Sequence, residues 1–154
     1  MRFKLSLSHK KIRIRVAGLV VKDDTILLIA HKKRNDIYWL LPGGGVEYRE
    51  SLDNALKREF KEELGLDVDV GDIAMIADSI EPNGRRHIIN VIFWCNLVSE
   101  AIQLGSEKIL YGYSFKPLQD MDTIVIYPPL NTYIIQLLKN KNEKIYKGSL
   151  WIPK

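Results

Sequence analysis

With 154 residues, 46% hydrophobic and 27% charged, the chain has an ordinary globular composition and the length to bury one sizeable core, so a single domain over residues 1–154 is expected. Its single cysteine excludes an intrachain disulfide, and no run approaches the ~18 apolar residues of a membrane-spanning helix. A formal charge of +4 favours anionic ligands in general terms.

The N-terminal residues are basic but lack the apolar core of about 7–15 residues that marks a secretory signal, which predicts a cytoplasmic protein. Lys11 to Val21 alternates through Ile12-Arg13-Ile14-Arg15-Val16 and then turns apolar, reading as a strand that runs from an edge into the interior. Lys22-Asp23-Asp24 turns into a second strand, Thr25 to Ala30, which is followed by the basic cluster Lys32-Lys33-Arg34. The apolar run Ile37 to Leu40 reads as a strand, and Leu41-Pro42-Gly43-Gly44-Gly45-Val46-Glu47 as a glycine loop that can approach a ligand closely. Ser51 as N-cap, Asp53 in the first turn and Gly65 as the terminating residue bound a helix. Val68 to Ile80 and His87 to Leu97 read as long extended segments, and Ile109 to Phe115 as a shorter strand. Leu130 to Leu138 repeats Leu130, Ile134, Leu137 and Leu138 at helical spacing, with Pro128-Pro129 barring a helix before it. Strands interleaved with two helices predict an α/β fold with a mixed sheet packed between them. There is no internal repeat or low-complexity block.

The helix after the glycine loop carries the chemistry. Read at about 100° per residue, Leu52, Ala55, Leu56, Phe60 and Leu64 form one apolar arc, whereas Asn54, Lys57, Arg58 and Lys61 occupy the opposite side. Glu59 and Glu63 project from the middle of the apolar arc and Glu62 from its edge. Desolvating a carboxylate costs on the order of several kcal/mol, and crowding like charges disfavours their joint ionisation. A divalent cation reverses both penalties. The spacing i, i+3, i+4 stacks the three side chains on adjoining turns, where hard oxygen donors suit Mg2+ or Mn2+. A merely solvated acidic face is the competing reading, but the solvated face of this helix lies elsewhere.

Gly44, five residues, Glu50, seven residues, then Arg58-Glu59-Phe60-Lys61-Glu62-Glu63-Leu64-Gly65-Leu66 resembles a complete Nudix box, preceded by the lead-in Leu41-Pro42-Gly43. The resemblance implies an α/β/α sandwich and hydrolysis of the diphosphate bond in a nucleoside diphosphate linked to another group. It implies that Glu59, Glu62 and Glu63 are the core ligands of Mg2+ or Mn2+, that Arg58 fixes a ligand carboxylate, and that Glu50 holds loop and helix together. A further carboxylate outside the helix serves as general base or extra ligand in such chemistry; Glu107 is the candidate, with Glu81, Glu100 and Asp120 open. Glu47, in the glycine loop, is the auxiliary metal ligand. Gly43, Gly44 and Gly45 would line the substrate, with Arg34, Arg85 and Arg86 placed to reach a phosphate. Where many members have glycine, this chain has Arg49, so the loop must tolerate a Cβ there.

The remaining residues narrow the alternatives. Cys95, in the apolar run Val91 to Cys95, reads as buried and inert; His9, His31 and His87 lack metal-ligand spacing and read as ordinary turn, strand-end or surface residues. Lys139, Lys141, Lys144 and Lys147 read as a solvated tail, and nucleic-acid binding lacks a basic groove interleaved with aromatics. Pro82, sixteen residues past Leu66, is similar to a proline of ADP-ribose-type Nudix enzymes, and Pro82-Asn83-Gly84 is equally a turn. The apolar tail around Leu150-Trp151-Ile152 packs back on the domain or exchanges with a neighbouring subunit, leaving a homodimer open. The leading expectation is a pyrophosphohydrolase of ADP-ribose or a nucleotide sugar; the alternatives are a nucleoside triphosphate pyrophosphohydrolase and a non-catalytic nucleotide-binding module.

Overall fold

The computed structural model describes residues 10–140 and 142–152; His9 and Lys141 lie outside the described residues. The elements follow in the order β1 (Arg13–Leu19), β2 (Val21–Lys22), β3 (Thr25–Lys33), β4 (Asp36–Leu40), β5 (Gly43–Gly45), α1 (Leu52–Leu64), β6 (Val68–Ile80), β7 (His87–Leu97), β8 (Leu110–Pro117), α2 (Asn131–Lys139) and β9 (Tyr146–Ser149), with a 3-10 turn at Leu118–Asp120 before α2. No helix among the described residues is long and apolar enough to cross a membrane.

Side-chain alternation explains the layering. Ile26 to Ala30 of β3 are all buried: Leu27 and Ile29 join Leu56, Phe60 and Leu64 of α1 in one core, while Ile26 and Leu28 join Ile134 and Leu137 of α2 in another. A strand buried on both faces must lie between two helices. One sheet runs β5-β1-β7-β6-β9 and the other β2-β3-β4, with β8 also paired to β3. β1 and β7 are parallel and β6 and β7 antiparallel. This is the mixed-sheet α/β/α sandwich expected.

Two elements differ from the expectation. The three glycines are not a free loop but a short strand, antiparallel to β1 in the register Ala17↔Gly43, Val16↔Gly44 and Arg15↔Gly45. Without side chains they show no alternation, so strand and loop look alike in sequence. A Cβ on Gly43 would lie 2.1 Å from the Val16 carbonyl oxygen, and its φ of 149° is foreign to other residues, so only glycine lets the two backbones close up. The second is β9, which adds in parallel to β6. The tail therefore packs back on its own domain: Tyr146 hydroxyl donates to Asp78 Oδ2 at 2.5 Å and Leu150 N–H to the Asp78 carbonyl at 2.7 Å. His87 completes that group, its Nε2 3.1 Å from Asp78 Oδ1. Lys147 corrects the reading of a solvated tail. Its side chain is 4% exposed, and its Nζ lies over the Tyr133 ring, 5.3 Å from the centroid, a cation–π contact.

Smaller expectations meet their geometry here. Ser51 has an extended N-cap backbone, but its hydroxyl binds Asp53 at 2.6 Å and not a helix N–H. Gly65 terminates α1 in the left-handed conformation, φ 66°. Arg49 is also left-handed, φ 65°, a conformation that costs a side-chain-bearing residue about 1–2 kcal/mol. Pro82 stands in a turn closed by Gly84 N–H to the Glu81 carbonyl at 2.7 Å. Cys95 is buried, and burial pushes its thiol up to about 12, which makes it unreactive.

Candidate active site

The rotation of α1 about its own axis is fixed by what its apolar side meets. Leu56, Phe60 and Leu64 are fully buried, and the Phe60 ring sits on Gly18, where a Cβ would come within 2.6 Å of it. That setting turns Glu59 and Glu63 toward β5 and β3. The Glu63 side chain is 5% exposed; its Oε2 accepts from Gly43 N–H at 3.0 Å, and its Oε1 lies 3.9 Å from His31 Nε2. The Glu59 carboxylate rests on Gly44, where a Cβ would fall 2.3 Å from its Cδ. Glu62 is half-exposed. The order of burial along the helix is thus the one its sequence predicts.

Arg58 ties the carboxylates together. Its Nε and Nη2 donate to the two oxygens of Glu50 at 2.8 and 3.0 Å, Nη2 also to the Gly45 carbonyl at 3.0 Å, and Nη1 to Glu59 at 2.8 Å and Glu62 at 3.2 Å. Glu50 in turn accepts from Glu47 N–H at 3.0 Å, so one guanidinium joins loop, glycine strand and helix. The paired Arg58 holds the Glu50 carboxyl below its ordinary range, and Glu50 foremost raises Arg58 in return. Glu59 moves the other way. Burial raises its pKa, and the charges of Glu63 and Glu62 add to that against the Arg58 hydrogen bond.

These donors fit a hard divalent cation: carboxylate oxygens, a glycine cradle that admits one of them to the strand backbone, and in Glu59 a half-buried acid whose charged form is disfavoured by desolvation and by its acidic neighbours, a penalty that a cation offsets. Among the described residues, no group of three or more His, Cys, Asp or Glu side chains stands within reach of one ion as it is. Arg58 and Gly43 N–H satisfy the carboxylates instead. Gly44→Ala tests the cradle. The added methyl must push the Glu59 carboxylate aside, and misplacing a catalytic group by ~1 Å costs about a hundredfold in rate; steady-state turnover is expected to fall by that order, with the circular dichroism spectrum of the fold kept.

The other sequence candidates scatter. Glu47 and Glu107 are exposed, as are Arg34, Arg85 and Arg86. Arg86 nevertheless comes near enough to Tyr38 for its charge to oppose the rise that burial imposes on the tyrosine. Glu100 pairs with Lys22 at 2.8 Å, Glu81 holds Asn83 at 3.3 Å, and Asp120 sits in the exposed 3-10 turn. Glu107 stands apart through its loop: Gln103 N–H and Gly105 N–H donate to the carbonyls of Leu64 and Glu63, both at 2.8 Å, and a Cβ on Gly105 would meet the Glu62 carbonyl oxygen at 2.1 Å. The loop is docked on the turn that carries Glu62 and Glu63.

Two residues escaped the sequence reading. Arg15, on β1 across from Gly45, donates to the Leu41 carbonyl at 2.8 Å; burial lowers its pKa, and the charges of Glu63 and Glu59 resist. His31 has no metal-ligand spacing to mark it, but two-residue alternation from Leu27 and Ile29 puts it on the α1 side of β3.

Fold and helix together define an α/β/α protein built around a carboxylate-bearing helix that follows a glycine strand. Residues 11–130 match the family model described as the NUDIX domain, and the chain belongs to the Nudix hydrolase family. It is 33% identical over 97 residues to an ADP-ribose pyrophosphatase of Methanocaldococcus jannaschii, a match covering 61% of this chain and 56% of that protein. The chain thus spans little more than half the length of that relative. It is 30% identical over 110 residues to nucleoside triphosphatase NudI of Escherichia coli O139:H28, covering 64% and 78%. The solved structure of an ADP-ribose pyrophosphatase of Streptococcus suis superposes with a TM-score of 0.66 at 25% identity, covering 91% of this chain and 98% of that one.

Proposed function

We propose that this protein is a Mg2+- or Mn2+-dependent pyrophosphohydrolase that cleaves the diphosphate bond of a nucleoside diphosphate linked to another group, ADP-ribose or a nucleotide sugar. The observation that carries the reading is the burial of Glu59 and Glu63, 13% and 5% exposed, on the glycine-strand side of α1. Such acids gain by meeting a cation. Similarity to two ADP-ribose pyrophosphatases supports the substrate class; similarity to NudI supports the triphosphate alternative. A single domain over the whole chain is part of the same reading.

Glu59, Glu62 and Glu63 would hold the cation, which when bound neutralises the diphosphate oxygens and supplies a water of lowered pKa. Arg58 keeps Glu59 and Glu62 in place, and Glu50 keeps Arg58. Gly43 to Gly45 give a backbone without Cβ atoms beside these acids, so a diphosphate can lie close to the strand. Glu107, on the loop docked at the end of α1, is the proposed proton acceptor for the attacking water. Arg86, Arg85 and Arg34 are the proposed contacts to the outer phosphate and the group beyond it.

The test is a product assay with Mg2+ and a panel of ADP-ribose, sugar nucleotides, dinucleotides and nucleoside triphosphates. AMP and ribose 5-phosphate from ADP-ribose, or the matching monophosphates from a sugar nucleotide, are expected. Turnover confined to triphosphates would install the alternative, and no turnover on any of them would leave a binding module.

A further inference from the structure

His31 is packed in a way that a spectator histidine has no reason to be. Its Nε2 is buried and has no hydrogen-bond partner, a state that costs about 1–3 kcal/mol for a polar atom. The nearby acid is Glu63: its Oε2 is already fixed by Gly43 N–H at 3.0 Å, and the oxygen nearest Nε2 is its other one, Oε1, at 3.9 Å. Three features aim the ring there. His31 lies directly across from Tyr38 in the β3–β4 register. The Tyr38 ring meets it edge-on at 5.8 Å and 77°, and Tyr127 backs Tyr38 at 5.6 Å and 80°. Finally, the register shift in the β3–β8 pairing places its extra residue, Tyr111, on β8, between the partners of Ala30 and His31, so β3 keeps its alternation and His31 stays on the α1 side with Leu27 and Ile29.

We propose that His31 is a positioning residue whose Nε2–H closes onto Glu63 Oε1 and orients that carboxylate for the divalent cation. The inference rests on the reading of Glu63 as a ligand. Closing the gap takes a shift of about 1 Å, after which the contact has the length of an ordinary N–H···O bond. Each carboxylate oxygen has two lone pairs, so Oε1 can accept from His31 and still face an ion. The hydrogen bond also sets the tautomer, because a bare Nε2 lone pair turned toward a carboxylate would be repelled. His31 then stands opposite Gly43, the two gripping one oxygen each.

Two variants and one spectrum test this. His31→Phe keeps the ring against Tyr38 and removes the donor; His31→Gln retains an N–H near the place of Nε2. Outer donors of this kind are worth about 10–100-fold in metal affinity, so calorimetric titration with Mn2+ should show a Kd raised at least about tenfold in H31F and largely restored in H31Q. In the 15N spectrum of the unaltered protein, the His31 Nε2 should carry the proton and shift when Mg2+ is added. Unchanged Mn2+ affinity in H31F, equal weakening in both variants, or an unprotonated Nε2 overturns the proposal, and the last holds even if a variant does not fold. An unaltered protein that binds no Mn2+ at all sinks the reading of the carboxylates as well; one that binds it as tightly as H31F sinks His31 alone.

Discussion

Glu63→Gln should abolish nearly all turnover while leaving a folded protein. The side chain keeps an oxygen for Gly43 N–H at the position now 3.0 Å away, so the join between β5 and α1 survives. What it loses is charge at the most buried of the three acids. Transition-state stabilisation by a bound cation is worth several kcal/mol, and losing ~4 kcal/mol is about a thousandfold in rate. Thermal unfolding without added metal should move little, because the variant gives up a crowded negative charge along with its interactions. Glu59→Gln should behave alike in rate, with its neutral amide better suited to the burial that raises the Glu59 pKa. Steady-state kinetics on the best substrate of the panel, alongside melting curves, separates the two quantities. Turnover within tenfold of the unaltered protein in both variants would mean that these acids do not hold the cation.

The sequence revealed most where periodicity and burial agree. Val68 to Ile80 and His87 to Leu97 are strands over the full ranges expected, since each runs long enough for tertiary pairing to reinforce its β-rich content. The carboxylate helix was legible for a different reason: its charges violate its own amphipathic pattern, and a violated pattern is visible without coordinates. Gly43 to Gly45 were ambiguous because a strand of glycine has no pattern to violate. β9 was hidden because Tyr146–Ser149 is short and polar, and it is held by backbone bonds to β6 and by the Tyr146–Asp78 contact, which no local pattern announces. Lys147 was misread for a related reason. A lysine beside asparagines looks solvated until a ring, here Tyr133, receives its ammonium group.

Sites follow the same logic. The resemblance to the Nudix box implied the roles of Arg58 and Glu50, but not that of Arg15, whose alternation with exposed Arg13 in β1 suggests an edge position and not a place near the charges of Glu63 and Glu59. The general base is the least legible part, since an acid on a loop carries no periodicity. For the proposed proton acceptor, the docking of residues 103–105 onto the last turn of α1 supports Glu107 over Glu81, Glu100 and Asp120.

Arg58→Met should be the most damaging single change to stability among the polar residues of the site. It strands Glu59, whose side chain is 13% exposed, without the guanidinium; because the pair is partly and not fully buried, the cost falls at the lower end of the about 3–5 kcal/mol of a buried pair broken from one side. For a chain of this size ~3 kcal/mol corresponds to a drop in Tm of roughly 6–12 °C. Loss of the Glu50 and Gly45 contacts works in the same direction by releasing the loop from the helix. Arg58→Lys should recover only a small part. One ammonium cannot reach both oxygens of Glu50, the Gly45 carbonyl and Glu59 together, as the planar fork does. Excess Mg2+ should return part of the lost Tm in either variant, because a cation beside Glu59 replaces the charge that the guanidinium supplied. A lysine variant that melts with the unaltered protein would show that charge alone, and not the geometry of the fork, holds glycine strand to helix.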